Sequence, residues 1–541
     1  MAFWLVAIVG WRHWLPSFRL KPFFPFFLSA QRQIGIIGCT YLLIFRKFAS
    51  SPFTFVPMRI ITLFLFLSVS LLSAQPNEAN LLGRWQDTTL VGSNIHKNVY
   101  NEIWGYAIPD HEYAIIGTTA GTHFIEVTDP TQPTEVFFVP GAEQGGVIIH
   151  RDYHNYKGYL YAVSDEGNST LQIIDLQQLP DTVTVVYDSD TLIKRNHNIF
   201  IDTTQALLYG LISRGGVTDW AAMTVFDISN PVQPVFLQEY NQLGGMPITQ
   251  VHDAYFEDNI GFLNLGPQGF AIADFSDPTE AVLLSTLTDY PDRGYNHSGW
   301  LSANCSHYYM ADETHGFDMK ALEVNDLCNP EVVGQFNAAV TSPTSIVHNQ
   351  VVACNYLYTS YYYDGLRVYD ISDPSSPELA LFYDTYPDPD GRQFRGAWGV
   401  YPFLPSGTIL ISDMQYGLFV FEGMGDQCHL QEKPVCSFNS SCIEMITSTE
   451  EIIDANSISV SPNPIGQSFW LSVNPSLTSS WLKVSLLDMS GQVIQQWDRA
   501  ITDLNAAFLI NKQLPSGLYF LSLQTDNTNW TKKVALVNDR Q

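Results

Sequence analysis

The sequence predicts an all-β fold: a seven-bladed β-propeller followed by a small C-terminal β-sandwich. Three observations predict it. One phrase, an alternating strand closed by Asp-Ile-Ser or a variant and then by Asp-Pro or Asn-Pro, recurs at nearly fixed spacing. The text around each copy divides into four short strands. Aromatic and turn-forming residues abound, with 33 Phe, 27 Tyr, 12 Trp, 36 Gly and 30 Pro, which suits strands joined by tight turns.

The first 57 residues carry Arg12, Arg19, Lys21, Arg32, Arg46 and Lys47 and no acidic residue. They read as an upstream extension ahead of the true start at Met58. Residues 58–74 read as a signal peptide, with Arg59 as a short positive region, Ile60 to Leu72 as the apolar run, and Ser73-Ala74 as a small-residue cleavage site. Cleavage there leaves 467 residues and removes seven basic charges, so the formal charge of −28 becomes about −35. A chain this acidic lacks the basic footprint that phosphate binding needs, which excludes nucleic acid as a partner. Export also suits the cysteines. Beyond Cys39 the chain has Cys305, Cys328, Cys354, Cys428, Cys436 and Cys442, an even set for an oxidising compartment, with the pairing open.

From residue 80 to 423 the repeat takes over. Its phrase appears as FIEVTDP ending at Pro130, LQIIDLQQLP at Pro180, TVFDISNP at Pro231, AIADFSDP at Pro278, LEVNDLCNP at Pro330 and RVYDISDP at Pro374, in steps of 50, 51, 47, 52 and 44 residues. A seventh copy, GLFVFEG at 417–423, keeps the strand and loses the Asp-Pro. Proline ends the third strand because it cannot donate to a ladder, and Asp favours the turn. Four strands per period, about seven times over, is propeller arithmetic. The last period lacks a fourth strand, and NLLGRWQD (80–87) is placed to supply it and remove the open edge.

Aligning the periods exposes a second regularity. The start of each inner strand carries Trp104, His150, His197, His252, His297, His348 or Trp398, in steps of 46, 47, 55, 45, 51 and 50 residues. Inner strands line a propeller's axis, so these side chains should surround one mouth of the channel as a ligand-binding ring. Asp165 and Asp312 end second strands on the same face, and Asp253 flanks the ring directly. Imidazoles and carboxylates converging on one cavity are what a divalent transition-metal ion requires. The metal-ligand set read from the sequence is therefore His150, His197, His252, His297, His348, Asp165, Asp253 and Asp312. His154, His307, His315 and His429 fall outside the ring register and are assigned no role.

Residues 424–457 form a linker holding three of the cysteines, and the text changes again near Ile458. The segments SPNP, DMSGQ, LPSGLYFL and KKVALV, spread over 458–541, resemble the type A C-terminal sorting domain of the Bacteroidetes type IX secretion system. That resemblance implies export by the type IX machinery, an extracellular or outer-surface location and attachment to surface lipopolysaccharide. The segments EIWGYA, GTHFIEVTDP, HNIFID, VHDAYF, HSGWL, LRVYDISDP and AWGVYPFLPSG resemble the choice-of-anchor B family of LVIVD-repeat propellers, which implies no established activity. The reading that follows is a non-enzymatic binding or interaction module whose His-ringed mouth holds a metal ion or a small polar ligand. The alternatives are a metal-assisted hydrolase or lyase at that mouth, with Asp165, Asp253 or Asp312 as base, and a purely structural or adhesive surface protein.

Overall fold

The computed structural model describes residues 76–425 apart from 339–343, together with Cys436, Phe438 and most of 458–536. The extension 1–57, the signal peptide 58–74 and most of the linker 424–457 lie outside the described residues. Among the described residues every regular element is a β-strand.

Seven sheets form the propeller, each built on four antiparallel strands, with a fifth short strand added in the third and in the sixth. Their inner strands are Tyr100–Ile108, Arg151–Tyr156, Asn198–Asp202, Asp253–Glu257, Asn296–Leu301, Asn349–Ala353 and Ala397–Tyr401. Each inner strand lies against the next, and the seventh lies against the first. The seventh blade takes its outermost strand from the N-terminal side: Leu81–Trp85 pairs antiparallel with Gly417–Phe421. Just before it, Asn77–Glu78 adds a parallel strand to the outer edge of the sixth blade.

The sequence phrase has a local cause. Asp227, Asp274 and Asp370 each close a third strand and accept the backbone N–H two residues on, at 2.7, 2.7 and 2.9 Å. Asp129, Asp277 and Asp373 repeat the device across the following proline, at 3.0, 2.9 and 3.0 Å. Such Asx turns reverse the chain without glycine. Alternation then sends apolar side chains to both faces of every blade, where they meet the next blade. The result is seven separate inter-blade cores, among them one between the seventh and first blades around Ile116, Leu410 and Val420.

The disulfide between Cys305 and Cys436 fastens the linker to the fifth blade. Cys436 N–H also donates to Asp258 at 3.1 Å, and Phe438 packs near Phe262. Cys328 and Cys354 are disulfide-bonded too. The C-terminal domain is a β-sandwich of a three-stranded and a four-stranded sheet. Its core holds Phe469, Leu471, Val484, Leu486, Phe508, Leu521, Leu523 and Val534.

Candidate metal and ligand site

The ring position opens the inner strand. The N–H groups of His197, His252 and His348 donate to Leu211, Asn264 and Ser360 on the second strands of their own blades, at 2.9, 2.7 and 3.0 Å. This ladder contact sets all three imidazoles at one height. The rings then touch in order: His150 to His197 at 4.4 Å between centroids, His197 to His252 at 4.3 Å, His252 to His297 at 4.2 Å and His297 to His348 at 4.6 Å. Trp398 closes the circle, 4.2 Å from His348 and 5.6 Å from His150.

Hydrogen bonds orient the ring. The Nδ1 of His348 lies 2.5 Å from the carbonyl of Trp398, and that of His252 lies 3.1 Å from the carbonyl of His297. A carbonyl only accepts, so each Nδ1 carries the proton and each Nε2 keeps a free lone pair. Burial, then repulsion from neighbouring imidazoles, pushes His150, His252 and His297 well below the ordinary histidine value. Burial takes His348 down to about 3. These four are neutral near pH 7, the form that ligates metal. His197 goes the other way. Burial opposes its charge, but the hydrogen bond and charge of Asp165, with Glu166 and Glu313, raise its pKa.

Two carboxylates approach the ring at the mouth. Asp165 Oδ2 is 3.0 Å from His197 Nδ1, and its other oxygen accepts from Arg214 at 3.2 Å. Glu313 Oε2 stands 3.8 Å from His297 Nε2, while Oε1 accepts from the Tyr362 hydroxyl at 2.6 Å. Burial raises Glu313 to about 7. His297, Glu313 and His348 offer ligand atoms that all lie within 4.8 Å of one another. Two imidazoles and one carboxylate are a common donor set for a first-row transition metal.

The structure differs from the sequence reading at two of the named positions. Asp312 does not face the ring. It forms a fully buried ion pair with Lys320 at 2.7 Å and also accepts from Tyr290 and from Gly294 N–H. Counted from the ring histidines the two carboxylates are equivalent, since Arg151 pairs with Ser164 and Ser298 with Ala311. Asp312 is nonetheless committed to Lys320, and the next residue, Glu313, is the carboxylate that stands beside the ring. Trp104 is the second case. It contacts His154 and Tyr401, not the imidazole ring, and donates to Asn155 at 2.8 Å.

Asp253 stands one residue past the ring with two other buried carboxyl groups. Glu102 accepts from Ile103 N–H and from Asn349, each at 3.0 Å, and Asp152 accepts from Ile199 N–H at 2.6 Å. Burial raises Asp253 to about 6 and Glu102 to about 8, and it drives Asp152 well above its usual range, with mutual repulsion adding to the last two. Gly399 is required here. A Cβ at that position would stand 2.1 Å from Glu102 Oε1, blocking its path across the seventh blade to Asn349.

Residues 459–537 match the family described as the secretion system C-terminal sorting domain. Residues 217–242 and 348–385 match the LVIVD repeat. The chain therefore carries LVIVD repeats and a type IX sorting domain, which marks it for export to a cell-surface or secreted location. Among solved structures it is similar to the Cps50 (Swd1) β-propeller domain of Myceliophteria thermophila, at 9% identity and TM-score 0.44, over 64% of this chain and 99% of that one. It is also similar to the RRP9 WD40 repeats, at 11% identity and TM-score 0.42, over 64% of this chain and 99% of that one. No curated protein matches it in sequence.

Proposed function

We propose that this chain is an exported surface propeller, a binding module whose mouth holds a divalent transition-metal ion through His297, Glu313 and His348. The observation that carries the reading is the approach of those three ligand atoms to within 4.8 Å of one another. Supporting it, the Nδ1 bond of His348 fixes its tautomer and the Tyr362 hydroxyl fixes the Glu313 carboxylate. Outer partners of this kind orient ligands in known metal sites. The other ring imidazoles, with Asp165 and Asp253, complete a polar wall around the ion.

The same proposal includes a route and an address. Residues 58–74 act as the signal peptide, 458–541 as a type A sorting domain read by the type IX machinery, and surface lipopolysaccharide is the attachment point. The propeller itself belongs with the choice-of-anchor B proteins, on the motifs quoted above.

Zinc titration of the purified full chain, with metal analysis after dialysis, tests the site. Loss of a direct ligand should cost more than loss of an outer partner. Glu313→Gln and His348→Ala should therefore each weaken zinc binding by at least about 100-fold, the first with an unfolding curve close to the parent. Equal zinc content in parent and both variants sinks the proposal.

A further inference from the structure

The side of the mouth facing the proposed ligands is built differently from the rest of the ring. The His197 side chain is 19% exposed, whereas the other four ring histidines are 3 to 5% exposed. It is thus the imidazole that an incoming molecule meets. Asp165 engages its Nδ1, which leaves Nε2 as the ring's other nitrogen, and the ring stands between those of His150 and His252. Asp165 in turn has a second cation. Arg214 spends one N–H on it, and with its side chain 41% exposed it keeps the others for a ligand.

The placement of Arg214 is held against backbone preference. Two residues before it, Ile212 has φ +50°, a left-handed conformation that a β-branched side chain rarely accepts. Gly215 and Gly216 follow at +77° and +96°. Strain of this kind persists where surrounding structure enforces it, often at sites of function. Here it turns the extended strand Leu207–Gly216 so that the guanidinium reaches Asp165.

We infer that the mouth takes its metal together with a small oxyanion, a carboxylate or phosphate group, with one oxygen on the metal and another on His197 and Arg214. This rests on the metal reading above. The span fits: ring contacts of 4.3 and 4.2 Å lead from His197 through His252 to His297. A metal–oxygen bond of about 2 Å and a charge-assisted hydrogen bond of about 2.8 Å let two oxygens of one group cover it. Arg214 is the one guanidinium seen at Asp165, and its exposed N–H groups are the donors that an oxyanion at this side would meet. The fork of an arginine suits such a group geometrically.

The test is a two-stage titration of the full chain. Zinc is added first and its affinity recorded. Inorganic phosphate and acetate are then titrated separately into the zinc-loaded protein by calorimetry. At least one anion should bind, should need the zinc, and should lose about tenfold or more in affinity in Arg214→Ala and in His197→Asn, with zinc affinity held within twofold in Arg214→Ala. Arg214 is exposed enough that its variant keeps the fold. Phosphate alone or acetate alone binding supports the inference and fixes the class. Binding of neither anion to zinc-loaded protein overturns it, as does parent-like anion affinity in both variants. Failure of the first stage is failure of the metal reading, and the anion inference falls with it.

Discussion

Two tiers of the channel wall, built by the same inner strands, have opposite characters. The first is the imidazole ring, in which His197, His252 and His348 are aimed by single hydrogen bonds to backbone or carboxylate. The second lies three or four residues further along, about 10 Å by strand rise. There Trp104, His154, Phe200, Tyr255, Trp300 and Tyr401, joined by Phe403 from just past the seventh inner strand, close a collar with centroid spacings of 4.7 to 6.0 Å. The collar packs by faces and edges, and its side chains offer few ligand atoms. Between them stand Glu102, Asp152 and Asp253. The difference teaches that one repeat can serve two ends: the ring residue at the start of an inner strand presents chemistry, and in blades two to five and seven the side chain three or four residues on cements the blades.

Truncating the collar should break the comparison most forcefully. Trp300 touches Phe200, Tyr255 and Phe403. Trp300→Ala should destabilise the propeller by about 3 kcal/mol, the low end for a large aromatic because Trp300 is partly buried, while zinc affinity stays at the parent value. Urea unfolding and zinc titration on one preparation check both halves. A parallel fall in zinc affinity would show that the tiers are not separable.

Acid should act on both tiers, and one substitution sorts them. Burial lowers the collar His154 to about 4 and the ring His348 to about 3. Unfolded, each titrates near 6.5, so between those values the unfolded chain binds more protons and stability rises with pH. The contribution is complete above about pH 6.5 and is lost as pH falls toward 4. Glu102, raised by burial to about 8, works in the opposite sense and removes stability as pH rises toward that value. His154→Phe keeps the collar aromatic and deletes one term. It should flatten the loss of stability between pH 6.5 and 4.5 by about 2 kcal/mol and leave the profile above pH 7 unchanged. An unaltered acid limb would place the titration in the ring alone.

Much of this architecture was legible because it repeats. The turn phrase marks its own cause, an Asp accepting the N–H two residues on, and proline shows where a ladder must stop. The missing fourth strand of the last blade pointed to a segment before the first. The five histidines were visible for the same reason. What the sequence hid was partnership. Glu313 sits beside Asp312, and only the ion pair of Asp312 with Lys320 shows which of the two is left for the mouth. The collar was hidden differently. His154 stands four residues after His150, whereas Phe200, Tyr255 and Trp300 stand three after their ring partners, so no single spacing picks out the set. Arg214 lay in a bulged strand extension whose position at Asp165 depends on backbone conformation at Ile212. No pattern of residue types announces such a bend.

The finest distinction within the mouth is between a ligand and the group that holds it, and Tyr362 separates them. Its ring is buried, and its hydroxyl donates to Glu313 Oε1 at 2.6 Å. Burial raises Glu313 to about 7, and this hydrogen bond is what restrains the rise. Tyr362→Phe keeps the packing against His348 and Phe394 and removes only the donor. Without it the carboxyl holds its proton to higher pH, and at pH 7 a proton competes harder with the metal. Zinc affinity should drop about tenfold at pH 7, with stability nearly unchanged. The deficit should shrink as pH rises past 8, where the carboxylate is ionised in parent and variant alike. A deficit that stayed constant across that range would assign the hydroxyl to positioning alone, with no part in holding Glu313 ionised.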